Sequence, residues 1–467
     1  MQANRWRGFK IKNQASKTDS FEVRSRVFAA AFGAFLGLSL LKFGNPPIME
    51  KWVAAPTNAY EFVLGYPWPI TWAYVLLGLM ALLGLSAVQR PGAAPQWILL
   101  LPVAWLTWQI VASARSVQPE LSGPTVYHFV ACVACFYLGY FCLSRANDLR
   151  LFWAAILCAL VVVLGLGWEQ HFGGLAATQR YFYLYLYPKM KEVPPEYLKK
   201  MASTRIFATL FYPNALAGVL LLLLPPMLAV LGQARRLFTA GARQFLVLAV
   251  ALGGLGCLYW SGSKGGWLLM LLLGFLALLR LPFAKALKIS LLTVVLAGGL
   301  AGFFWKYAGF FQRGATSVSA RFDYWHAALQ TAGSHPLYGT GPGTFAKPYQ
   351  QLKRPESEMA RLAHNDYLEQ ASDSGLAGFV SYAAFIIAAL ILAYPRPWAL
   401  PGPIGIGLVR ASPSAGSPPD WLPGCIWLGV LGWALQSLFE FGLYIPALAW
   451  PAFAFMGLLL GWRKGQP

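Results

Sequence analysis

The chain has 467 residues, of which 57% are hydrophobic and only 12% are charged. Soluble globular proteins carry about 25% charged residues, so this composition excludes a soluble fold and indicates a protein that crosses a membrane several times. The formal net charge of +20 does not indicate a nucleic-acid partner, because the basic residues lie in loops beside apolar segments, where they suit anionic membrane lipids.

Apolar windows of about twenty residues predict an all-α integral membrane protein with twelve spanning helices. These predicted spans lie near residues 27–44, 68–88, 96–113, 124–143, 149–169, 206–232, 244–261, 265–280, 287–305, 376–394, 421–440 and 443–462. Asn45-Pro46-Pro47 follows the first span, where a signal peptide would carry small residues before its cleavage site. The first span is therefore expected to be retained.

The distribution of Lys and Arg sets the predicted orientation, because basic residues concentrate in cytoplasmic loops. Twenty of them lie in the tails and loops on the N-terminal side of the predicted spans. The short loops on the other side carry only four, which are Lys42, Lys51, Arg115 and Lys264. Both termini are therefore expected in the cytoplasm, and the two long loops are expected in the periplasm of a bacterial inner membrane.

This orientation divides the chain into six parts. They are a cytoplasmic tail at 1–26, spans one to five at 27–169, a first periplasmic loop at 170–205, spans six to nine at 206–305, a large and partly helical periplasmic loop at 306–375, and spans ten to twelve at 376–462 with a cytoplasmic linker at 395–420. Three of the five histidines lie in the large loop, which is therefore the predicted catalytic part. The sequence shows no internal repeat.

Cys132 and Cys135 have the spacing of a metal or redox pair. They lie in an apolar run and no second pair accompanies them, so we interpret them as packing residues. The large loop also lacks a convincing set of hard oxygen ligands for Mg²⁺. No metal and no cofactor are therefore expected.

Arg205 stands where the first long loop enters the sixth span, and Asn214 follows in the first turns of that span. A guanidinium group at the mouth of a helix bundle can hold a phosphate through two parallel hydrogen bonds, and an amide can fix a polar group beside it. The alternative is an arginine that reaches the membrane interface next to a helix-starting asparagine.

Lys264 belongs to the tight outer turn Ser261-Gly-Ser-Lys-Gly-Gly266. Glycines and a lysine can cradle an anion, although the spacing is not that of a P-loop and no strand precedes it. A plain hairpin turn between two spans explains the same residues equally well.

Two segments of the large loop have helical character. Ser319 is predicted to cap a helix that begins at Ala320, which places Arg321 and Trp325 on one face. Glycines at alternate positions follow, at Gly339, Gly341 and Gly343, where backbone amides can approach a ligand.

The second helical segment is predicted from Glu356 to Ser372. It places Arg361, His364 and Asn365 at three- and four-residue spacing, with a guanidinium group one turn from an imidazole. This grouping favours a functional histidine, and a structural helix histidine is the alternative.

Glu440 lies at the boundary between the last two spans. An ionisable residue at this position is a candidate for function, or it is the counter-ion of one of the outer arginines. The aromatic run Tyr181 to Tyr187 in the first loop suits either a membrane interface or a sugar-binding surface.

The order of these motifs resembles the bacterial O-antigen ligase and O-antigen polymerase superfamily, whose members are polytopic GT-C-type glycosyltransferases. The matching residues are Arg205 with Pro213-Asn214, Ser261 to Gly266, Arg321 with Trp325, His335-Pro336 through Gly343, Ala363 to Tyr367, Gly375 to Gly378, and Ser437 to Phe441 with Pro446. The resemblance extends over residues 200 to 462 and implies a GT-C-like fold.

The resemblance implies that Arg205 and Arg321 hold the diphosphate of a polyprenyl-linked glycan and that His364 is the essential histidine of the large loop. Lys264, Arg361, Asn214, Asn365, Trp325 and Glu440 are the further candidates for contacts with the diphosphate or the glycan. The chain departs from many relatives in carrying Lys264 in place of arginine and Glu440 in place of aspartate. A lysine keeps the charge but cannot form the bidentate contact of arginine.

The function predicted on this basis is transfer of a glycan from undecaprenyl diphosphate to an acceptor hydroxyl. An O-antigen ligase would use lipid A core as the acceptor, a polymerase would use another glycan, and a protein O-oligosaccharyltransferase would use Ser or Thr. We favour ligase or polymerase because no protein-acceptor module is recognisable. A lipid or solute transporter is the alternative from a different class, although transporters tend to show internal repeats and charges near the bilayer midplane.

Overall fold

The computed structural model describes residues 2–64, 67–88, 94–189, 198, 202–280, 283–312, 316–395 and 421–463, and the regular structure within them is entirely helical. The first eight α-helices are α1 (Gln2–Lys42), α2 (Ala59–Leu64), α3 (Ile70–Leu85), α4 (Gln96–Ser113), α5 (Pro119–Tyr137), α6 (Arg150–Glu169), α7 (Leu175–Tyr181) and α8 (Pro213–Gln233). The next eight are α9 (Ala240–Ser261), α10 (Lys264–Arg280), α11 (Lys285–Gln312), α12 (Thr316–Ser334), α13 (Ala346–Leu352), α14 (Asp366–Leu392), α15 (Leu422–Gln436) and α16 (Pro446–Trp462).

Eight helical stretches in the described part are long and apolar enough to cross a membrane. They are Phe21–Lys42, Gln96–Ser113, Pro119–Arg145, Arg150–Tyr185, Pro213–Gln233, Ala240–Ser261, Lys285–Gln312 and Asp366–Leu392. Shorter apolar helices are Ile70–Leu85, Leu422–Gln436 and Pro446–Trp462. The all-α membrane class is thus observed, whereas the number of twelve crossings stays a prediction.

The core of the bundle lies around α8 and α16. Helix α16 is buried from Pro446 to Gly461, and most side chains of α8 are buried as well. Helix α8 packs against α9 and α15, while α16 packs against α5 and α1. Because α15 and α16 are joined by a short turn, this packing brings the turn that contains Glu440 close to the beginning of α8.

Two predicted segments lie wholly or partly outside the described residues. The cytoplasmic linker predicted at 395–420 is outside them, apart from Pro395, and so are residues 190–197 and 199–201 of the first predicted outer loop. In the described part of that loop, the exposed rings of Tyr181 and Tyr185 lie 5.2 Å apart. This arrangement is compatible with both interpretations of the aromatic run.

The predicted start of α12 was wrong. The helix is already formed at Thr316, and Ser319 lies inside its first turn. The Ser319 hydroxyl donates to the Thr316 carbonyl at 3.1 Å, as serines within helices often do, and therefore does not cap the helix. Arg321 and Trp325 do lie four residues apart on this helix.

The helix predicted from Glu356 to Ser372 was also wrong over its first half, because α14 begins only at Asp366. Asn365 has an extended backbone, and its side-chain oxygen accepts hydrogen bonds from the amides of Tyr367 and Leu368 at 3.1 and 3.0 Å. It is therefore the N-cap. His364 has a left-handed backbone with φ of 51°, which ends any helix before it.

Gly375 interrupts α14 with φ of 68° and ψ of −172°. A β-carbon built on Gly375 would lie 2.3 Å from the carbonyl oxygen of Leu337. The glycine-rich segment, Pro336 to Gly343, is hydrogen-bonded to the chain at this kink. The amide of Gly341 donates to the Asp373 carbonyl at 2.7 Å, and the amide of Leu376 donates to the Pro336 carbonyl at 2.8 Å. The kink therefore holds the glycine-rich segment against α14.

We expect Gly375→Ala to destabilise the protein, because a side chain there meets both a backbone strain of about 1–3 kcal/mol and a steric clash. The melting temperature of the detergent-purified protein should fall by several degrees. Gly165→Ala is the matched control, since the helical Gly165 has no neighbouring heavy atom within 4 Å of a new β-carbon. Equal melting temperatures for the two variants would contradict the role assigned to Gly375.

Candidate active site

Glu440 is the centre of a buried polar cluster and is itself only 6% exposed. Its Oε1 forms an ion pair with the Nη2 of Arg321 and accepts a hydrogen bond from the Nδ2 of Asn214 at 2.5 Å. Its Oε2 lies 3.2 Å from the Nδ1 of His364. Burial alone would raise the pKa of Glu440. The Arg321 charge and the hydrogen bond to His364 lower the pKa by more than burial raises it, so it lies below its ordinary value.

Arg205 joins the cluster through Asn214. The Arg205 Nη2 donates to the Oδ1 of Asn214 at 2.7 Å, and its Nε donates to the carbonyl of Ser261 at 2.6 Å. Asn214 thus bridges Arg205 and Glu440 with its two amide atoms. The Ser261 contact ties the guanidinium to the turn between α9 and α10, which also carries Lys264.

Two lysines near Arg205 and Arg321 pack on aromatic rings. The Lys264 Nζ lies 3.9 Å from the ring centroid of Phe310, and the Lys306 Nζ lies 3.0 Å from that of Tyr259, whose carbonyl accepts its hydrogen bond. Among the described residues, the carboxylate that forms an ion pair with a member of this group is Glu440, through Arg321. The four cations and one carboxylate carry a formal charge of +3, which suits a multiply charged anion.

Lys306 is the member of this group that the sequence did not identify. It lies near the end of α11 and looks like an ordinary interfacial lysine beside an apolar span. The neighbouring aromatic residues Tyr307 and Phe310 are the signal that could have indicated more, because cations often pack on aromatic rings.

His364 is held on several sides. Its ring stacks on Tyr324, with centroids 5.7 Å apart, and meets Phe441 edge-on at 4.8 Å. The indole of Trp325 donates to the His364 carbonyl at 3.3 Å. A carboxylate can only accept, so the Nδ1 of His364 donates to Glu440, and Nε2 is the ring nitrogen left for a ligand. The left-handed backbone of this non-glycine residue costs roughly 1–2 kcal/mol.

Seven of the predicted site residues therefore lie together, and two do not join them. Arg361 lies over the indole of Trp52, 4.4 Å from the ring centroid, instead of one helical turn from His364. Asn365 caps α14 with its side chain. Both lack the predicted helical spacing to His364, because the residues before Asp366 are not helical. Their contacts with the diphosphate or the glycan stay a prediction.

Across the described residues, no three His, Cys, Asp or Glu side chains gather in the way a metal ion would require. What the cluster offers chemically is a set of fixed hydrogen-bond donors and cations next to an imidazole that is oriented by a carboxylate.

Lys264 gives the cluster an expected dependence on pH. Burial, together with the charges of Arg205 and Arg321, lowers the pKa of Lys264 to about 8. The ammonium is charged below this pH and neutral above it. The contribution of the Lys264 charge to the affinity for pyrophosphate, about tenfold for one charged contact, should therefore be present at pH 7 and lost by pH 9.5. Titration calorimetry at several pH values measures this.

Lys264→Arg is the matched control for this prediction, because an arginine stays charged over the whole range. The titration of pyrophosphate itself is common to both proteins, so the comparison isolates the side chain at position 264. A decline of equal size in the arginine variant would show that Lys264 is not the titrating group.

The long apolar helices indicate the class, a polytopic membrane protein, and the cluster around Glu440 gives it a buried group of cations with a net positive charge. Residues 248–383 match the family model described as O-antigen ligase. This match confirms the predicted resemblance to the O-antigen ligase and polymerase superfamily. The matched region includes Lys264, Lys306, Arg321 and His364.

A similar protein is an uncharacterized protein of Haemophilus influenzae, which is 28% identical over 150 residues. The aligned region makes up 27% of this chain and 38% of the relative. The chain thus matches less than two fifths of the length of this relative.

Proposed function

We propose that this protein transfers a glycan from undecaprenyl diphosphate to an acceptor hydroxyl at the periplasmic face of a bacterial inner membrane. The acceptor is lipid A core in an O-antigen ligase or a further glycan in a polysaccharide polymerase. The observation that carries the proposal is the group of four cations around Arg321, which pairs with Glu440 beside His364. The group lies within or next to the region that matches the O-antigen ligase family.

The leaving group is a diphosphate, and negative charge develops on its bridging oxygen as the glycosidic bond breaks. Arg205 and Arg321 are oriented by Asn214 and Glu440, and Lys264 and Lys306 add two further charges. Fixed cations of this kind stabilise a transition state without reorganising as the charge forms. Because side chains supply the charge, we propose that the transfer does not depend on a metal ion.

The acceptor hydroxyl attacks the anomeric carbon of the glycan. A new carbon–oxygen bond forms, the bond to the diphosphate breaks, and its electron pair stays on the phosphate oxygen. The hydroxyl proton passes to the Nε2 of His364, and Glu440 stabilises the resulting imidazolium through Nδ1. The products are the extended acceptor and undecaprenyl diphosphate.

The positions of the cluster residues along their helices indicate which side of the membrane the site faces. Arg205 precedes α8, Lys264 begins α10, and Glu440 lies between α15 and α16, so all three belong to the same end of the helices. This is the end whose short loops carry few basic residues. By the distribution of basic residues, we propose that it faces the periplasm and that both termini are cytoplasmic.

The test is an assay of the purified protein with an undecaprenyl-diphosphate glycan in the presence of EDTA. Lipid A core, excess donor and a Ser/Thr-rich protein are offered as separate acceptors. Product with lipid A core or with donor supports the ligase or the polymerase, respectively, while product with protein alone would overturn the preferred acceptor. Coupled flux in proteoliposomes without product from any acceptor would replace transfer by transport.

A further inference from the structure

The first two turns of α14 carry three buried carboxyl groups on one face. Asp366, Glu369 and Asp373 are all 0% exposed, and no basic side chain of the described residues forms an ion pair with them. Each accepts a backbone N–H from a different segment of the chain. Asp366 binds the amide of Leu443 at 2.8 Å, Glu369 that of Ala363 at 2.9 Å, and Asp373 that of Gly343 at 2.7 Å.

The contact made by Glu369 falls directly before His364. The Oε2 of Glu369 accepts from the amide of Ala363, and the Ala363 side chain is itself fully buried. On the other side of His364, its carbonyl is held by Trp325 and the next residue, Asn365, caps α14. The left-handed backbone of His364 is therefore fixed by polar contacts on both sides.

A role in packing alone does not explain why these carboxyl groups are buried. A buried carboxyl group without a cation is costly compared with an apolar side chain of the same size, so packing alone gives no reason for Glu369. What the carboxyl group does supply is a directed acceptor that fixes the peptide plane before His364. That plane helps to set the direction of the Cα–Cβ bond of His364, and the contacts of the ring with Tyr324, Phe441 and Glu440 then set the direction of the imidazole.

We propose that Glu369 is a positioning residue that fixes His364 so that Nδ1 meets Glu440 and Nε2 faces the acceptor hydroxyl. This inference rests on the proposed role of His364 as the base. Glu369 does not touch the substrate and acts through the backbone of Ala363 and His364.

The test compares Glu369→Met, which fills the same space without an acceptor, with Glu369→Gln, whose side-chain oxygen still accepts from Ala363. Misplacing a catalytic group by about 1 Å costs on the order of 100-fold in rate. The methionine variant should therefore lose 10- to 100-fold in kcat, with the KM for the donor and the Kd for pyrophosphate unchanged within about twofold. The glutamine variant should recover most of the rate.

Asp373→Leu is the matched control, because it removes an equally buried carboxyl group from the same helix face while leaving the Ala363 contact intact. Its kcat should stay within about threefold of wild type per folded protein. If it loses as much kcat as Glu369→Met, or if Glu369→Met retains wild-type kcat, the positioning role is wrong.

The His364→Ala background separates this inference from the proposed function. If Glu369 acts through His364, adding Glu369→Met to His364→Ala should lower the rate no further. An additional 10-fold loss would overturn the positioning role. Near-normal transfer by His364→Ala alone would instead overturn the proposed base, whatever Glu369→Met does.

Discussion

His364→Ala should lower kcat for glycan transfer by a factor of about 10²–10⁴, the range that general-base catalysis contributes. The imidazole is the group beside the cation cluster that Glu440 orients to accept the proton of the attacking hydroxyl in the proposed reaction. The cations do not depend on it, so the Kd for pyrophosphate should change little. Initial rates with the purified variant, measured per folded protein, give the result.

His326→Ala is the control for this variant. His326 is an exposed histidine on α12, outside the cluster, and its removal should leave kcat within about twofold. A near-normal rate for His364→Ala would show that another group accepts the proton, and the proposed mechanism would lose its base.

Arg321→Ala should lower kcat by about 10²–10³, the cost of one preorganised donor at a developing charge. It should also destabilise the protein, by about 3–5 kcal/mol, because it leaves the buried Glu440 without its ion-pair partner. The two effects have different origins and need separate measurements, which are transfer kinetics and thermal unfolding in detergent.

Adding Glu440→Gln to Arg321→Ala separates the two effects. The double variant has no uncompensated carboxylate, so it should regain much of the lost stability. Its transfer rate should stay about 10²–10³-fold below that of Glu440→Gln alone, which also lacks the carboxylate on His364. If transfer returned together with stability, Arg321 would be only the counter-ion of Glu440 and not a group that acts on the diphosphate. Arg321→Lys should fall between wild type and alanine, because lysine keeps the charge without the planar donor pair.

The sequence predicts the local parts of this protein well. Each of the twelve predicted apolar segments overlaps a helix, because long apolar stretches favour the helical backbone, which satisfies its own hydrogen bonds. Arg321 and Trp325 lie four apart on a helix as expected, since this spacing depends only on helical periodicity.

Local sequence patterns could not predict which of the candidate residues meet in the folded protein. Arg205, Arg321 and Glu440 are far apart in the sequence, and their meeting depends on how α8, α12 and α15 pack. The sequence left Glu440 open as a functional group or a counter-ion, and the structure pairs it with Arg321 while also linking it to His364.

The errors before α14 have a physical origin as well. The spacing of Arg361, His364 and Asn365 suits a helix, but Asn365 satisfies free amides as a cap and His364 takes a left-handed backbone. Glu369 and Asp373 were missed because acidic residues in a predicted outer loop look solvent-exposed. Their positions four residues apart, on one side of a helix that continues into an apolar segment, were the available sign of burial.

The position of Glu440 near the end of the chain also determines when, during biosynthesis, the polar cluster can form. A growing chain emerges from its N-terminus, so Arg205 and Arg321 are made before the last two helices, and Glu440 lies between those helices. Until α15 and α16 enter the bundle, the arginines have no carboxylate from this turn and α8 lacks two of its packing partners. The polar cluster of a nascent chain is therefore incomplete until its final helical pair is in the bundle.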